Sequence, residues 1–419
     1  MADTNQQSDG LLALLQLFDP KDISDPYPKF AHLRETNPVW NPAEHVYVVS
    51  RQDDAASILR DPNFGHGEPE QLRILRKLRE SNGGIKFETA EMPIRSFLGL
   101  NPPDHTRLRG LVSRAFTPTR INSLAPQIEK ITEDLLDNIP SGTEINLIEK
   151  FASPLPVIVI SDLLGIPVSD RDQLVSWSHA MARGLDPAFL LPPGVKTRQL
   201  QAREEFANYL SGLIAERRKR PGEDLLSALV SVRDSRDVLS EEELIATSIL
   251  LLVAGHETTT NLLGNGSNAL MRHPDQLNLL RQDTALTERA VEEFLRYDSP
   301  VQLTARIALE NAAINNHKIE KGSMVLILIG AANRDPRTYR NPDQLDITRE
   351  ITRHLAFGQG IHFCLGAPLA RLEAQIAFKA LLRRFDTITP AGDALWKENT
   401  VLRGIAKLPI VAEAAMNRP

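Results

Sequence analysis

The feature that most constrains the fold is a long apolar segment that begins at Leu239 and continues to about Pro274. Ser240 and Glu243 have the spacing of a capping box, so we predict that a helix begins immediately after Ser240. Its roughly 30 residues would span about 45 Å, which is enough to cross a domain of this size. Most of the first half is apolar on every face, which favours a helix buried at the centre of the fold.

One short stretch of this segment, residues 254–258 with the sequence Ala-Gly-His-Glu-Thr, is polar. Gly255 weakens a helix by about 1 kcal/mol relative to alanine and would let it open locally. An ionised Glu257 in a core is costly without a partner. Ala254 and Thr258 share one helix face, whereas Glu257 is turned about 100° aside. Taken alone, the stretch is equally compatible with a partly exposed Glu257 and a Thr258 that bonds only its own helix.

Cys364 is the only cysteine of the chain and lies in a glycine-rich loop that leads into a helix-periodic segment. Gly358 and Gly360 allow backbone conformations that a side chain would block, and Gly366 allows close approach to a flat, bulky group. The N-terminus of the following helix favours thiolate over thiol, so we expect Cys364 to carry a negative charge. A lone cysteine excludes an internal disulfide and an iron–sulfur cluster held by this chain alone.

The loop Phe-Gly-Gln-Gly-Ile-His-Phe-Cys-Leu-Gly, residues 357–366, resembles the haem-binding loop of the cytochrome P-450 superfamily, in the form typical of soluble bacterial members. The resemblance covers nearly the whole chain. It implies one cytochrome P-450 domain over residues 1–419, mainly α with a small β region, in which residues 1–20 are a flexible N-terminus. Short alternating or β-branched runs at residues 44–51 and 304–329 support the β region.

The same resemblance implies haem b between the long central helix and the cysteine-loop helix, with the Cys364 thiolate as the metal ligand. A thiolate ligand favours O–O cleavage. Residues 254–258 resemble the oxygen-binding segment of the family. Thr258 and Glu257 would therefore be the catalytic residues, the acid relaying protons from water and the alcohol meeting the oxygen.

Further residues match the family's haem contacts. His105 and Arg109 match a His-x-x-x-Arg motif, and with Arg306 and His362 they would bind the two propionates, which suit arginine well. Any one of these four in isolation is better explained as a solvated surface residue; the set favours propionate binding. The complete cofactor-binding set is His105, Arg109, Ala254, Gly255, Arg306, Phe357, Gly358, His362, Cys364, Leu365 and Gly366.

Glu293 and Arg296 have the i, i+3 spacing that brings a carboxylate and a guanidinium together on one helix face. The pair resembles the Glu-x-x-Arg motif of the family, which locks the core beneath the haem. Arg349 is the arginine that we expect to complete this structural network. Leu345 stands where many relatives have phenylalanine.

The implied activity is that of a monooxygenase acting on a lipophilic small molecule of the macrolide, terpenoid, steroid or fatty acid type. The family's variable regions fall on largely apolar residues of this chain. The expected pocket walls are Phe87, Phe97, Phe189, Val253, Val301, Leu303, Val401 and Leu402.

Composition and motifs bear on the partners. A net charge of −6 and a pI near 6.0 give no indication of a nucleic-acid partner. The polar first ten residues and the shortness of the apolar runs argue against a secretion signal or a membrane span, so a cytoplasmic monomer is expected. The Gly-x-Gly match at residues 264–269 lies inside the central helix, not after a strand, and is rejected as a dinucleotide site. Electrons are therefore expected from a ferredoxin and an NAD(P)H-dependent ferredoxin reductase, with Arg107, Arg109 and Arg114 as docking cations.

Two alternatives remain. A peroxide-driven peroxygenase shares the thiolate but usually lacks the acid and alcohol pair. A non-enzymatic haem sensor or electron carrier needs no proton relay and would fill the sixth metal position with a side chain. His256 is the nearby candidate for that role, although it is turned about 100° from the Thr258 face.

Overall fold

The structure, a computed structural model, describes residues 16–43, 45–67, 96–186, 191–231, 233–234, 237–350 and 353–414. The predicted wall residues Phe87 and Phe189 lie outside these ranges, as do residues 1–15. Leu17 and Phe18 pack against an apolar cluster of the β region. The flexibility of residues 1–20 stays a prediction from the sequence.

Helices dominate the described residues, as the sequence predicts. In chain order they are α1 (Tyr27–Thr36), α2 (Gln52–Arg60), α3 (Asp104–Ala115), α4 (Pro118–Asn122), α5 (Ala125–Asp137), α6 (Pro154–Leu164), α7 (Arg171–Arg183), α8 (Val195–Lys219), α9 (Leu225–Ser231), α10 (Glu241–Arg272), α11 (Pro274–Gln282), α12 (Thr287–Tyr297), α13 (Ile329–Ala332) and α14 (Ala367–Arg384). Among the described helices, none has both the length and the apolar character that a membrane span requires.

The strands are short and are spread along the chain. They are β1 (Val39–Ala43), β2 (Val46–Val49), β3 (Phe64–Gly65), β4 (Glu144–Asn146), β5 (Arg233–Asp234), β6 (Asp237–Val238), β7 (Leu303–Ala308), β8 (Ala312–Ile314), β9 (His317–Ile319), β10 (Met324–Leu328), β11 (Phe385–Pro390), β12 (Leu395–Trp396), β13 (Ile405–Lys407) and β14 (Pro409–Ala414).

The two predicted β-rich runs meet in one sheet of order β1-β2-β10-β7-β3. Strand β10 pairs in parallel with β2 and antiparallel with β7, where Val325 lies opposite Arg306. Strands β11, β14 and β4 form a second sheet, and β12 and β13 form a hairpin. Strand β7 of the first sheet carries Arg306.

Helix α10 is the buried centre that the sequence predicts. Its capping box is present: the Ser240 hydroxyl accepts the Glu243 N–H at 3.2 Å, and Glu243 Oε2 accepts the Ser240 N–H at 2.8 Å. It ends at Arg272, and it packs against α6, α7, α8, α12 and α14. The helix continues through Gly255 without the local opening that we expected. A Cβ at Gly255 would lie 3.4 Å from the Ile160 side chain, which is an ordinary van der Waals contact, so packing at this position does not require glycine.

The structure brings Glu293, Arg296 and Arg349 together. Arg296 donates to both carboxylate oxygens of Glu293 at 2.8 Å, and Arg349 Nε lies 3.1 and 3.2 Å from the same oxygens. Arg296 also donates to the carbonyl oxygens of Asn333 and Pro342. The guanidinium therefore ties α12 to the segment that leads towards the cysteine loop.

We expect Arg296→Ala to lower the free energy of unfolding by about 3–5 kcal/mol, because it leaves the buried Glu293 carboxylate without its main partner. Urea denaturation of the purified protein measures this. Arg289→Ala removes an exposed arginine from the same helix and should change stability by less than about 0.5 kcal/mol. Equal effects of the two substitutions would contradict the role of Arg296.

Candidate active site

The cysteine loop has the backbone that its glycines predict. Gly358 and Gly360 have φ values of 68° and 69°. At Gly360 a Cβ would also lie 2.3 Å from the Leu59 carbonyl oxygen, so a larger residue is excluded by both strain and contact. The Cys364 N–H donates to the Phe357 carbonyl at 2.9 Å and closes the loop. Helix α14 begins three residues after Cys364, which places the sulfur at a helix N-terminus as expected.

Opposing effects act on the charge of Cys364. The side chain is half-buried, and loss of hydration raises the pKa of its thiol. The N–H groups of Gly366 and Ala367 and the charge of Arg109 act in the opposite direction. A metal cation deprotonates a coordinating thiol outright, so a bound metal would hold Cys364 as the thiolate. The thiolate stays a prediction from the sequence.

Basic side chains from three elements converge near this loop. His105 is buried on α3, and His362 follows the turn at Gly360, with their ring centroids 4.2 Å apart. Neither nitrogen of either ring has a hydrogen-bond partner among the described residues. Arg109 donates to the Phe363 carbonyl at 2.5 Å, and the buried Arg306 donates to the carbonyl of its neighbour Ala305.

The members of this cluster carry no counter-charge from the described residues. Burial lowers the pKa of Arg306 to about 10, and burial with the neighbouring basic groups lowers the pKa of His362 to about 3. Burial and Arg109 lower the pKa of His105. Within the described ranges, no carboxylate bonds to any member of the cluster. The buried Arg306 and His105 and the half-buried Arg109 and His362 fit a dicarboxylate group.

His66 extends this cluster and was missed by the sequence analysis. Its ring packs edge-on against His362 at 4.7 Å between centroids. The Asn101 side chain bonds to both backbone polar groups of His66. Its oxygen accepts the His66 N–H at 2.8 Å, and its nitrogen donates to the His66 carbonyl. No motif connects His66 with His362, so only the fold reveals their contact.

One face of the buried helix α10 is accessible. Ala254 is exposed and Thr258 is partly exposed, whereas Val253, His256 and Glu257 are buried. The Thr258 hydroxyl donates to the Ala254 carbonyl at 2.5 Å. The shared face predicted for Ala254 and Thr258 therefore borders space that a small ligand can reach, with one hydroxyl pointing along it.

Glu257 lies on the other side of the helix and is paired. It is 3% exposed, and its Oε1 accepts from the Lys397 ammonium, which also donates to Asn261 at 2.9 Å. Burial acts to raise the pKa of Glu257, but the charge of Lys397 and the nearby histidines lower it overall, so the carboxylate is ionised. The alternative of a partly exposed helix acid is wrong. Lys397 follows β12, and no local spacing links it to α10.

His256 is occupied by two serines. Its Nδ1 lies 2.9 Å from Ser178 Oγ, and its Nε2 lies 3.2 Å from Ser153 Oγ. His179, His256 and Glu257 offer ligand atoms within 4.8 Å of one another, yet the Lys397 ammonium already supplies the cation at this carboxylate. A role of His256 as a ligand to a distant metal would require it to leave both serines.

The structure places the residues expected to form the pocket walls in different environments. Val301 and Leu402 form an isolated β-bridge, and Val253 is buried on α10. Leu303 instead belongs to an apolar cluster within the first sheet, because its side chain points to that side of β7. Phe97 is buried with the Arg109 guanidinium 6.0 Å from its ring centroid.

Val401 is held from two sides. Its N–H donates to the buried Asp186 carboxylate at 2.8 Å, and its carbonyl accepts the Gln302 N–H at 2.9 Å. Asp186 follows α7 and also accepts the Thr400 N–H at 2.9 and 3.0 Å. Sequence reasoning missed Asp186, because a carboxylate after a helix end is normally solvated.

Comparison with known proteins decides the family. The cytochrome P450 family model matches residues 85–411. The chain belongs to the cytochrome P450 family. It is 42% identical over 410 residues to cytochrome P450 107B1 of Saccharopolyspora erythraea, covering 94% of this chain and 97% of that protein. It is 41% identical over 399 residues to the cytochrome P450 monooxygenase PikC of Streptomyces venezuelae, covering 92% and 91%.

Solved structures agree with this assignment. The ligand-free crystal structure of Mycobacterium smegmatis CYP164A2 superimposes with a TM-score of 0.86 at 42% identity, covering 95% of this chain and 99% of that one. The mainly α cytochrome P450 fold predicted from the cysteine loop is therefore confirmed, as is the prediction of a P450 enzyme.

The buried His256 makes stability depend on pH. Burial lowers the pKa of His256 to about 4. Between pH 6.5 and 4, this histidine therefore binds a proton in the unfolded chain but not in the folded chain. Stability is then fully present above pH 6.5 and falls as the pH is lowered, by up to about 3 kcal/mol from this group. Urea denaturation from pH 7.5 to 4.5 should show a smaller loss in His256→Gln than in the wild type. Parallel curves for the two proteins would contradict this assignment.

Proposed function

We propose that this P450 is a haem-thiolate monooxygenase that inserts one oxygen atom of O2 into a C–H bond of a lipophilic small molecule. The observation that carries the proposal is the juxtaposition of Cys364, just before α14, with a basic cluster, partly or fully buried, to which the described residues contribute no carboxylate. A group that presents a metal cation to the thiol and two carboxylates to the cluster satisfies both. Haem b has these properties.

The residues that would hold the haem follow from the site. Cys364 would bind the metal, while His105, Arg109, Arg306 and His362 would bind the propionates. The remaining contacts are proposed for Ala254, Gly255, Phe357, Gly358, Leu365 and Gly366, and Glu293, Arg296 and Arg349 would retain the haem by stabilising the core. When bound, the haem supplies the redox chemistry that activates O2, with a thiolate ligand that favours O–O cleavage.

Thr258 and Glu257 would handle protons on two faces of α10 that are about 100° apart. Thr258 holds its proton at Oγ1, directed at the Ala254 carbonyl, and a rotation about one side-chain bond turns it towards the accessible face. Lys397 neutralises Oε1 of Glu257, whereas Oε2 has no hydrogen-bond partner among the described residues. Oε2 is thus the atom that would accept a proton from water and pass it on.

The nature of the substrate is part of the proposal. Relatives 38–41% identical carry names such as 6-deoxyerythronolide B hydroxylase, PikC and vitamin D(3) 25-hydroxylase. Together with the apolar character of Val253, Val301, Val401 and Leu402, these names support a macrolide, terpenoid, steroid or fatty acid type of substrate. Leu303, which lies in an apolar cluster of the first sheet, stays a prediction from the sequence.

Electrons would come from a ferredoxin and its NAD(P)H-dependent reductase. Arg107 bonds to Glu243, and Arg109 is turned to the cysteine loop, so both already have partners within the chain. A docking role for these arginines, a cytoplasmic location and a monomeric state stay predictions from the sequence.

The acid and alcohol pair favours the monooxygenase over the peroxygenase alternative, because proton delivery is needed when O2 is the oxidant. The two serine contacts of His256 speak against a sensor or electron carrier with histidine as a sixth ligand.

We expect the dithionite-reduced, haem-loaded protein to show a strongly red-shifted Soret band under carbon monoxide, because the metal ligand is a thiolate. Visible spectroscopy measures this directly. Cys364→Ser should lose the band while circular dichroism shows retained helix content. An ordinary histidine-haem position in the wild type would contradict the proposed function.

We expect Thr258→Ala to retain haem but to lower product formed per electron by on the order of tenfold, since a positioned proton donor is lost. The electrons should appear as hydrogen peroxide. Thr260→Ala is a matched control, because the Thr260 hydroxyl has no hydrogen-bond partner in the described structure. Wild-type coupling in Thr258→Ala would show that its hydroxyl does not direct protons.

A further inference from the structure

Glu292, on α12, is the centre of a polar contact near the cysteine loop that the proposed function does not use. Its Oε1 accepts from Arg371 Nε at 2.6 Å, and its Oε2 accepts from Arg371 Nη2 at 2.9 Å. The same Oε2 lies 3.1 Å from His354 Nε2. A two-pronged guanidinium–carboxylate contact of this kind fixes both side chains in orientation as well as in position.

The proton position on His354 follows from its second contact. The Ala356 N–H donates to His354 Nδ1 at 3.2 Å, so Nδ1 carries a lone pair. His354 Nε2 therefore carries the proton and donates it to Glu292. Glu292 thus holds α14, through Arg371, and the segment before the cysteine loop, through His354, at the same time.

Two contacts connect this network to Cys364. The Arg371 guanidinium carbon lies 4.6 Å from the Phe357 ring centroid, which is a cation–π distance. The Phe357 carbonyl in turn accepts the Cys364 N–H at 2.9 Å. The Leu355 N–H is held by the Asn333 side chain at 2.7 Å, so the intervening backbone is pinned as well.

The network also carries opposite charges at different distances from the sulfur. Burial acts to raise the pKa of Glu292, but its bonds to Arg371 and His354 lower it to about 2, so the carboxylate is ionised at working pH. The Arg371 cation lies in the first half of α14, the helix that begins three residues after Cys364, and it stacks on Phe357, whose carbonyl accepts the Cys364 N–H. The Glu292 carboxylate lies on α12 and bonds to the guanidinium of Arg371.

We propose that Arg371 and Glu292 are positioning residues that set the electrostatic potential at the Cys364 sulfur, with Arg371 stabilising negative charge there and Glu292 limiting that effect. The inference rests on the proposed function, since it concerns the thiolate as a metal ligand. It assigns a tuning role to a pair that would otherwise be a structural ion pair.

The test is the reduction potential of the haem-loaded protein, measured by spectroelectrochemistry for the wild type, Glu292→Gln, Arg371→Gln and the double variant. Reduction adds negative charge at the site. Glu292→Gln leaves the Arg371 cation unopposed and should shift the potential upward, whereas Arg371→Gln should shift it downward. The double variant should return close to the wild type, because both charges are gone.

A purely structural role would move both single variants in the same direction, and that result or unchanged potentials would overturn the inference. If Arg371→Gln fails to fold, Glu292→Gln and Arg371→Lys test the inference instead. The reduction potential of Glu292→Gln should rise. That of Arg371→Lys, which keeps the cation, should differ less from the wild-type potential. Asp298→Asn is the control, because it breaks a comparably buried pair with Arg403 away from the loop and should leave the potential unchanged.

The two proposals fail differently. A wild-type protein without the red-shifted carbon monoxide band would refute the haem-thiolate assignment itself. A wild-type protein with that band, whose Glu292→Gln variant shows no upward shift, would refute only the tuning role of the pair.

Discussion

The uncompensated burial of polar groups around Cys364 is the constraint on which the rest of the site depends. The thiol is desolvated, and so are His105, Arg306 and His362, yet the described residues supply neither a metal cation for the sulfur nor an anion for the bases. Such burial is costly in a finished fold. A group that binds the folded chain and satisfies both demands stabilises it by mass action. This is why we propose that the basic cluster and the lone cysteine are two parts of one binding site.

Helix α10 carries the alcohol and the acid for which we propose a catalytic role, and it turns them to different neighbours. Thr258 faces the accessible side, and Glu257 faces a hairpin that supplies Lys397. The hairpin packs against the helix without a gap, since a Cβ at Gly404 would lie 1.9 Å from the Asn261 side chain. Because Asn261 also accepts from Lys397, the same close approach that excludes a larger residue at 404 places the cation at the acid.

Much of this could be predicted locally. The capping box at Ser240, the left-handed glycines at 358 and 360 and the Glu293–Arg296 contact each depend on residues a few positions apart, where helix and turn geometry decide the outcome. Contacts made by Lys397, Asp186 and His66 could not, because their partners lie far away in the sequence. For the charge state of Cys364, the helix terminus is visible in the sequence, whereas the desolvation that opposes it is a property of the packed structure.

Two adjacent acids on α12 show how the fold divides its structural and electrostatic tasks. Consecutive residues on a helix are turned about 100° apart, so Glu293 and Glu292 face different neighbours. Glu293 turns to Arg296 and Arg349 and secures the core, and Glu292 turns to Arg371 and His354 at the base of the cysteine loop. The two carboxylates have separate arginine partners, so neither needs to share a counter-charge with the other. Helix α12 thereby secures the core through Glu293 and holds the base of the cysteine loop through Glu292, the residue that we propose also acts on the charge at the Cys364 sulfur.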